Sequence, residues 1–232
     1  MGALLRQLLG DSPALVAFDL DGTLVDSVPD IAQAVDLMRG ELGMPLAGVE
    51  KVRDWVGNGA ELLVRRALAD SYKSERMAAV DESQFAAAMP IFKAHYQQCN
   101  GQLTRLYDGV LDCLEGLRSL GIPLAVVTNK PKVFTDPLLQ ALGIDDFFQE
   151  VIGGDCFPEK KPSPMALNHL LARFAVQPES SLMVGDSKHD VGAGRAAGFK
   201  VLCVSYGYNH GEPIEDSTPD AIVDSLADLI AV

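Results

Sequence analysis

Four groups of polar residues in this chain have the types and spacings that chemistry needs. The apolar run Leu15-Val16-Ala17-Phe18 delivers Asp19 and Asp21 into an Asp-Gly turn. Alternation along an extended chain points both carboxylates to one side, and two such neighbours repel unless a cation or a shared proton compensates. Gly22 permits a sharp turn and the Thr23 hydroxyl can cap the returning chain. Asp186 and Asp190 follow the apolar run Leu182-Met183-Val184 at i, i+4 spacing, so Asp190 reaches the same side from the first turn of a helix. Several carboxylates around one point favour a hard divalent cation; Mg²⁺ takes one or two of them with carbonyl, water and phosphate oxygens. Thr128 and Asn129 add a hydroxyl and an amide, and Lys161, next to Pro162, adds a point charge. That set suits phosphoryl transfer, which depends on positioning and charge stabilisation.

Each group also has a plainer reading. Asp19 to Gly22 could be a polar turn, Asp186 and Asp190 a helix cap with its first-turn acid, and Lys160-Lys161 a solvated loop pair. Lys130 reads as a rim residue. His95, His169, His189 and His210 form no metal spacing and receive no role.

The polar residues need elements to position them. The run ending at Asp19 reads as a buried strand, and ligands of parallel sheets bind at strand carboxyl ends. From Val28 to about Asn100 the period becomes helical, with segments near Val28–Leu42, Val49–Val56, Ala60–Ala69 and one opened by Asp81 or Ser83. After Tyr107-Asp108-Gly109 strands and helices alternate: strands at Leu124–Thr128, Glu150–Ile152, Leu182–Gly185, Val201–Val204 and Ala221–Val223, then a terminal helix. This rhythm predicts an α/β fold: a Rossmann-like parallel sheet with helices on both faces and an inserted all-helical cap domain. Residues 1–26 and 106–232 would form the core, and 27–105 the cap, with hinges near Ser27 and Leu106.

The chain has 232 residues and is 48% hydrophobic, ample for a real core. Its 32 acidic against 19 basic side chains leave a formal charge of −13, which argues against nucleic acid as a partner. No segment approaches the length of a bilayer span, so no membrane partner is expected. Cys99, Cys113, Cys156 and Cys203 lack metal or disulfide spacing, which points to reduced thiols and a cytoplasmic location. The leucine-rich first eleven residues read as a short amphipathic arm rather than a secretion signal. Oligomeric state, monomer or homodimer, stays open.

In order, Asp19-Leu20-Asp21-Gly22-Thr23, Thr128, Lys161 before proline, and Gly185-Asp186-Ser187-Lys188-His189-Asp190 resemble the four motifs of the haloacid dehalogenase superfamily. Within it, Trp55-Val56-Gly57-Asn58-Gly59-Ala60, Val127-Thr128-Asn129-Lys130-Pro131, Val151-Ile152-Gly153-Gly154-Asp155 and Tyr206-Gly207-Tyr208-Asn209 are most similar to the bacterial phosphoglycolate phosphatases. The resemblance implies Asp19 as nucleophile and Asp21 as general acid and base. It implies Mg²⁺ held by Asp19, the Asp21 carbonyl and Asp186, with Asp190 in support. Thr128, Asn129 and Lys161 would bind the substrate phosphate.

The expected activity is Mg²⁺-dependent hydrolysis of 2-phosphoglycolate, a small phosphoester, through an aspartyl-phosphate. A helix N-terminus offers free amides to an anion, so Gly57-Asn58-Gly59 is the candidate for reading the substrate's carboxylate, though the same triplet makes a plain helix–helix turn. Arg53, Arg65 and Arg66 are further candidates, and Trp55 reads as cap core. Competing readings are a phosphatase or phosphomutase for a sugar phosphate, nucleotide or pyrophosphate, and a non-catalytic phospho-ligand sensor.

Overall fold

A computed structural model of the chain describes residues 2–231. Short, mostly apolar runs become strands. These are β1 (Leu15–Phe18), the two-residue β2 (Val25–Asp26) and β3 (Arg105–Leu106), β4 (Leu124–Val127), β5 (Glu150–Ile152), β6 (Ser181–Gly185), β7 (Lys200–Val204) and β8 (Ala221–Val223). The three at the centre of the sheet, β1, β4 and β6, are buried throughout. Six form one parallel sheet in the order β5-β4-β1-β6-β7-β8. Phe18 is level with Val126 on one side and Val184 on the other. That register brings the carboxyl ends of β1, β4 and β6 to one rim, so Asp19, Thr128 and Asp186 leave the sheet side by side.

The helices are α1 (Ala3–Leu9), α2 (Val28–Glu41), α3 (Val49–Trp55), α4 (Ala60–Ala69), α5 (Ser74–Ala78), α6 (Glu82–Cys99), α7 (Val110–Ser119), α8 (Lys132–Ala141), α9 (Met165–Phe174) and α10 (Lys188–Ala197). Side-chain alternation divides the sheet into two packed faces. Val16 and Phe18 join Leu5, Leu114, Leu117 and Leu138 from α1, α7 and α8. Leu15 and Ala17 join Leu167, Leu170 and Val191 from α9 and α10.

Helices α2 to α6 bury a separate apolar cluster that includes Val35, Trp55, Val64, Ala88 and Phe92. Phe134 of α8 and Tyr208, after β7, complete it from the α/β side. Trp55, 3% exposed, packs in this interior as the sequence suggests. The chain enters and leaves the block through an antiparallel pair, Val25 opposite Leu106 and Asp26 opposite Arg105. Asp30, fully buried at the start of α2, holds the returning chain. Its carboxylate accepts from the amides of Gly101 (2.9 Å), Leu103 (2.8 Å) and Thr104 (3.0 Å) and from the Thr104 hydroxyl (2.5 Å).

Several elements differ from the sequence reading. The β2–β3 pair and α5 are additional, and the expected terminal helix is a 3-10 turn over Leu226–Leu229. Helix α10 starts at Lys188, which puts Asp190 in its first turn as expected, and Ser187 and Asp190 close a capping box there. Asp81, not Ser83, caps α6. Cys99, Cys113 and Cys203 are buried thiols, Cys156 is exposed, and all four are free. Among the described residues, no helix is long and apolar enough to cross a membrane.

Candidate active site

The turn after β1 follows from its residues. The Gly22 amide donates to the Val25 carbonyl at 2.9 Å, and Gly22 has φ +88°, a region that favours glycine. A side chain at Gly22 or Gly207 would collide with the Asp186 carboxylate, so both glycines leave room for it. Thr23 does not cap its own turn. It donates its hydroxyl to Asp186 Oδ1 at 3.0 Å, joining the ends of β1 and β6, while the Tyr208 amide reaches Asp186 Oδ2 at 2.5 Å.

One carboxylate oxygen each from Asp19, Asp186 and Asp190 lies within 4.8 Å of the others, and all three residues are buried. Burial pushes the Asp19 carboxyl up to about 6, against the opposing pull of Lys161. Burial also pushes Asp186 well above the usual carboxylate range, with Asp190 and Asp19 adding to the effect. The Lys161 ammonium stands 2.8 Å from Asp19 Oδ1 and 2.6 Å from Asp190 Oδ1. Burial alone would depress its proton affinity, but these two carboxylates outweigh that and hold it above the ordinary lysine range.

The residues fit a hard divalent cation. Asp19 Oδ1 is buried and faces the Lys161 ammonium at 2.8 Å, which leaves it lone pairs for a cation. Asp186 retains acceptor capacity beyond its two donors. Asp190 differs: Oδ1 is taken by Lys161, and Oδ2 accepts from the amides of Asp186 and Ser187 and from the Ser187 hydroxyl. It therefore fixes the loop after β6 and orients Lys161.

On the β4 side, Thr128 is 4% exposed and its hydroxyl oxygen accepts from the Lys130 amide at 3.2 Å. Both ends of the Asn129 amide are engaged with main chain. Its Nδ2 donates to the Gly57 and Lys161 carbonyls, and its Oδ1 accepts from the Lys161 amide. Asn129 thus braces the Lys161 loop and the helical block.

A narrow cleft lies between that block and the sheet rim. Asp19, Asp21, Thr128, Asn129 and Lys130 form its floor, and residues including Ile31, Val56, Leu63, Phe92 and Tyr96 its roof. Gly57 and Gly59 line it, with φ of +120° and +87°. Asn58 between them turns elsewhere: its Nδ2 meets His189 Nε2 at 2.6 Å and its Oδ1 accepts from Arg66 at 2.7 Å. His189 is pushed down to about 4, chiefly by burial, and so stays neutral. None of the three arginines lines the cleft. Arg66 also donates to the Trp55 carbonyl, Arg53 lies near Asp26 and Tyr208, and Arg65 pairs with Glu82.

Lys130 stands at the rim, as its sequence reading has it, but it is buried and partnered there. It follows the carboxyl end of β4, is only 6% exposed, stands 3.0 Å from Asp21 Oδ1, and hydrogen-bonds the Tyr96 hydroxyl of α6. Thr-Asn-Lys-Pro after an apolar strand was the available signal, but its partners are 34 and 109 residues away in sequence.

A parallel α/β sheet with an acidic rim, a buried lysine and an inserted helical block defines a class, and the comparisons agree with it. Residues 16–204 match the model of the haloacid dehalogenase-like hydrolases, and the chain belongs to that family. Among its relatives, a phosphoglycolate phosphatase of Nitrosococcus oceani is 48% identical over 94% of this chain and 95% of its own length. Phosphoglycolate phosphatase 1 of Pseudomonas aeruginosa is 46% identical over 94% of this chain and 79% of its own. In structure, the chain is similar to "a predicted phosphoglycolate phosphatase" from Haemophilus somnus 129PT, with a TM-score of 0.87 and 40% identity, covering 94% and 96% of the two chains. At this likeness over nearly the whole length, the protein is a phosphoric monoester hydrolase of the family.

Proposed function

We propose that the protein hydrolyses 2-phosphoglycolate to glycolate and phosphate in the cytoplasm, using Mg²⁺, with residues 27–105 as the cap over a core formed by 1–26 and 106–232. The observation that carries this reading is the charge arrangement at the rim. Asp19 presents an oxygen that faces the Lys161 ammonium and lies close to Asp186, at the floor of the cleft beneath the helical block.

Asp19 attacks phosphorus, forming an Asp19–O–P bond as the bond from phosphorus to the glycolate oxygen breaks. Asp21 gives its proton to the departing alkoxide. It then takes a proton from a water that attacks phosphorus, and the Asp19–O–P bond breaks to release phosphate. Asp19, Asp186 and the Asp21 carbonyl would hold Mg²⁺, which supplies positive charge opposite the phosphoryl oxygens. The Lys161 ammonium and Thr128 hydroxyl hold those oxygens from the other side, and Asn129 keeps Lys161 in place. Asp190 supports the metal ligands through the loop it fixes. The two acidic side chains can divide their labour because their surroundings differ, Asp19 facing Lys161 and the buried carboxylates and Asp21 facing Lys130 and Ser27. Residues Gly57 and Gly59 shape the end of the cleft away from phosphate.

The test is initial phosphate release with Mg²⁺, and with EDTA as control, across 2-phosphoglycolate, hexose and pentose phosphates, nucleotides and pyrophosphate. The reading requires the highest kcat/KM on 2-phosphoglycolate, by at least about tenfold. A higher value on any other compound moves the substrate assignment to that compound.

A further inference from the structure

The cleft is poor in positive charge where it should meet the organic end of a substrate. Its roof is apolar, and the charged residues that line it are Asp19, Asp21 and Lys130. Lys161 faces Asp19 and Asp190, on the side where phosphate belongs. Asn58, Arg53, Arg65 and Arg66 point to other partners. Among the residues lining the cleft, Lys130 is the single cation.

Its surroundings are those of an anion receptor. The side chain is 4% exposed, and a buried ammonium needs an anionic partner to offset lost hydration. At present that partner is Asp21, whose two oxygens lie 3.0 and 3.3 Å from Nζ. The Tyr96 hydroxyl lies beside the same nitrogen, and the Tyr96 ring is held by Phe92 and by Phe134 of α8. Lys130 comes from the sheet rim and Tyr96 from the helical block, so together they form a two-donor site across the cleft. From phosphate at Asp19, the positive charge that lines the cleft lies past Asp21, at Lys130.

We infer that Lys130 and Tyr96 read the carboxylate of the substrate, the Lys130 ammonium exchanging the Asp21 carboxylate for that of the ligand. The inference rests on the reading of 2-phosphoglycolate as substrate and names the residues that select it. The exchange releases Asp21 from its ion pair only when a carboxylate is bound. Because one donor sits on each side of the cleft, the same contact ties substrate choice to closure. Gly57 and Gly59 then provide shape and not charge recognition.

The experiment compares kcat/KM on 2-phosphoglycolate with that on 2-hydroxyethyl phosphate, an ester of similar size with an uncharged tail. It uses the Mg²⁺-loaded full chain, with melting curves as a check on folding. Lys130→Met lowers the ratio of the two values by between about tenfold and a hundredfold, the range for losing a hydrogen bond to a charged group. The loss falls mainly in KM for 2-phosphoglycolate. Lys130→Arg retains a cation and part of the preference, and Tyr96→Phe lowers the ratio by about threefold or more, as for one neutral donor. Should Lys130→Met not fold, the Arg and Phe variants decide. A wild-type preference that survives in the folded variants overturns the inference and leaves the substrate reading intact. A wild-type enzyme without the preference overturns both.

Discussion

Replacing Lys161 with methionine removes an ammonium from the centre of an acidic cluster. Its nitrogen lies 2.8 Å from Asp19 and 2.6 Å from Asp190, and its side chain is 3% exposed. Asp19, Asp186 and Asp190, with oxygens within 4.8 Å of one another, would be left without it. Methionine fills similar space, so the main cost is electrostatic. Removing one partner of a buried ion pair costs about 3–5 kcal/mol. In a chain of this size each kcal/mol moves the melting temperature by about 2–4 °C, so the metal-free variant should melt about 6–20 °C below wild type. Bound Mg²⁺ replaces part of the missing charge, and a ligand at a hundred times its Kd adds about 2.7 kcal/mol. Calorimetry at neutral pH, in EDTA and in Mg²⁺, should therefore show a larger gain from Mg²⁺ in the variant than in wild type. A metal-free Lys161→Met protein that melts within about 2 °C of wild type would refute the reasoning, because such a cluster could not then be under electrostatic load.

Metal affinity should depend on pH in a defined direction. Burial raises Asp19 from 3.8 to about 6, so its proton competes with the cation below that value. In the metal-free protein the same shift favours folding below about 4, and that contribution is lost as pH rises through about 6. Mg²⁺ titrations by calorimetry should weaken as pH falls, by at least about tenfold per pH unit below 6, with Asp186, also raised, adding to the loss; a flat profile counts against Asp19 as a ligand. Asp30→Ala strands three main-chain amides and the buried Thr104 hydroxyl at the entrance to the helical block. Urea unfolding should show a loss of at least about 3 kcal/mol, and a loss under about 1 kcal/mol would contradict the pinning role.

The sheet and its rim were legible because parallel strands covered on both faces are apolar throughout. A carboxylate, hydroxyl or glycine ending such a run, as at Asp19, Thr128 and Asp186, marks the rim directly. Local patterns failed where the partner lies far along the chain. Lys130 meets Asp21 across 109 residues, and Asp30 reaches Thr104 across 74. Asn58 illustrates another limit, since Gly-Asn-Gly announces a turn but says nothing of where the amide points; Arg66 and His189 decide that. Helix α5 buries none of its five residues and so leaves no apolar period to read, and β2 and β3 have only two residues each.

The claim at the centre of this account is that Asp19 becomes phosphorylated. An Asp21→Asn enzyme loses the acid that assists transfer as well as the base that activates water, so Asp19 is phosphorylated slowly and the aspartyl-phosphate, once formed, persists. Acid-quenched after mixing with 2-phosphoglycolate and Mg²⁺, then digested and mapped by mass spectrometry, it should carry phosphate on Asp19, and the Asp19→Asn, Asp21→Asn double variant should carry none. Phosphate on a different residue, or glycolate released by the Asp21→Asn enzyme with no modified Asp19, would contradict the account.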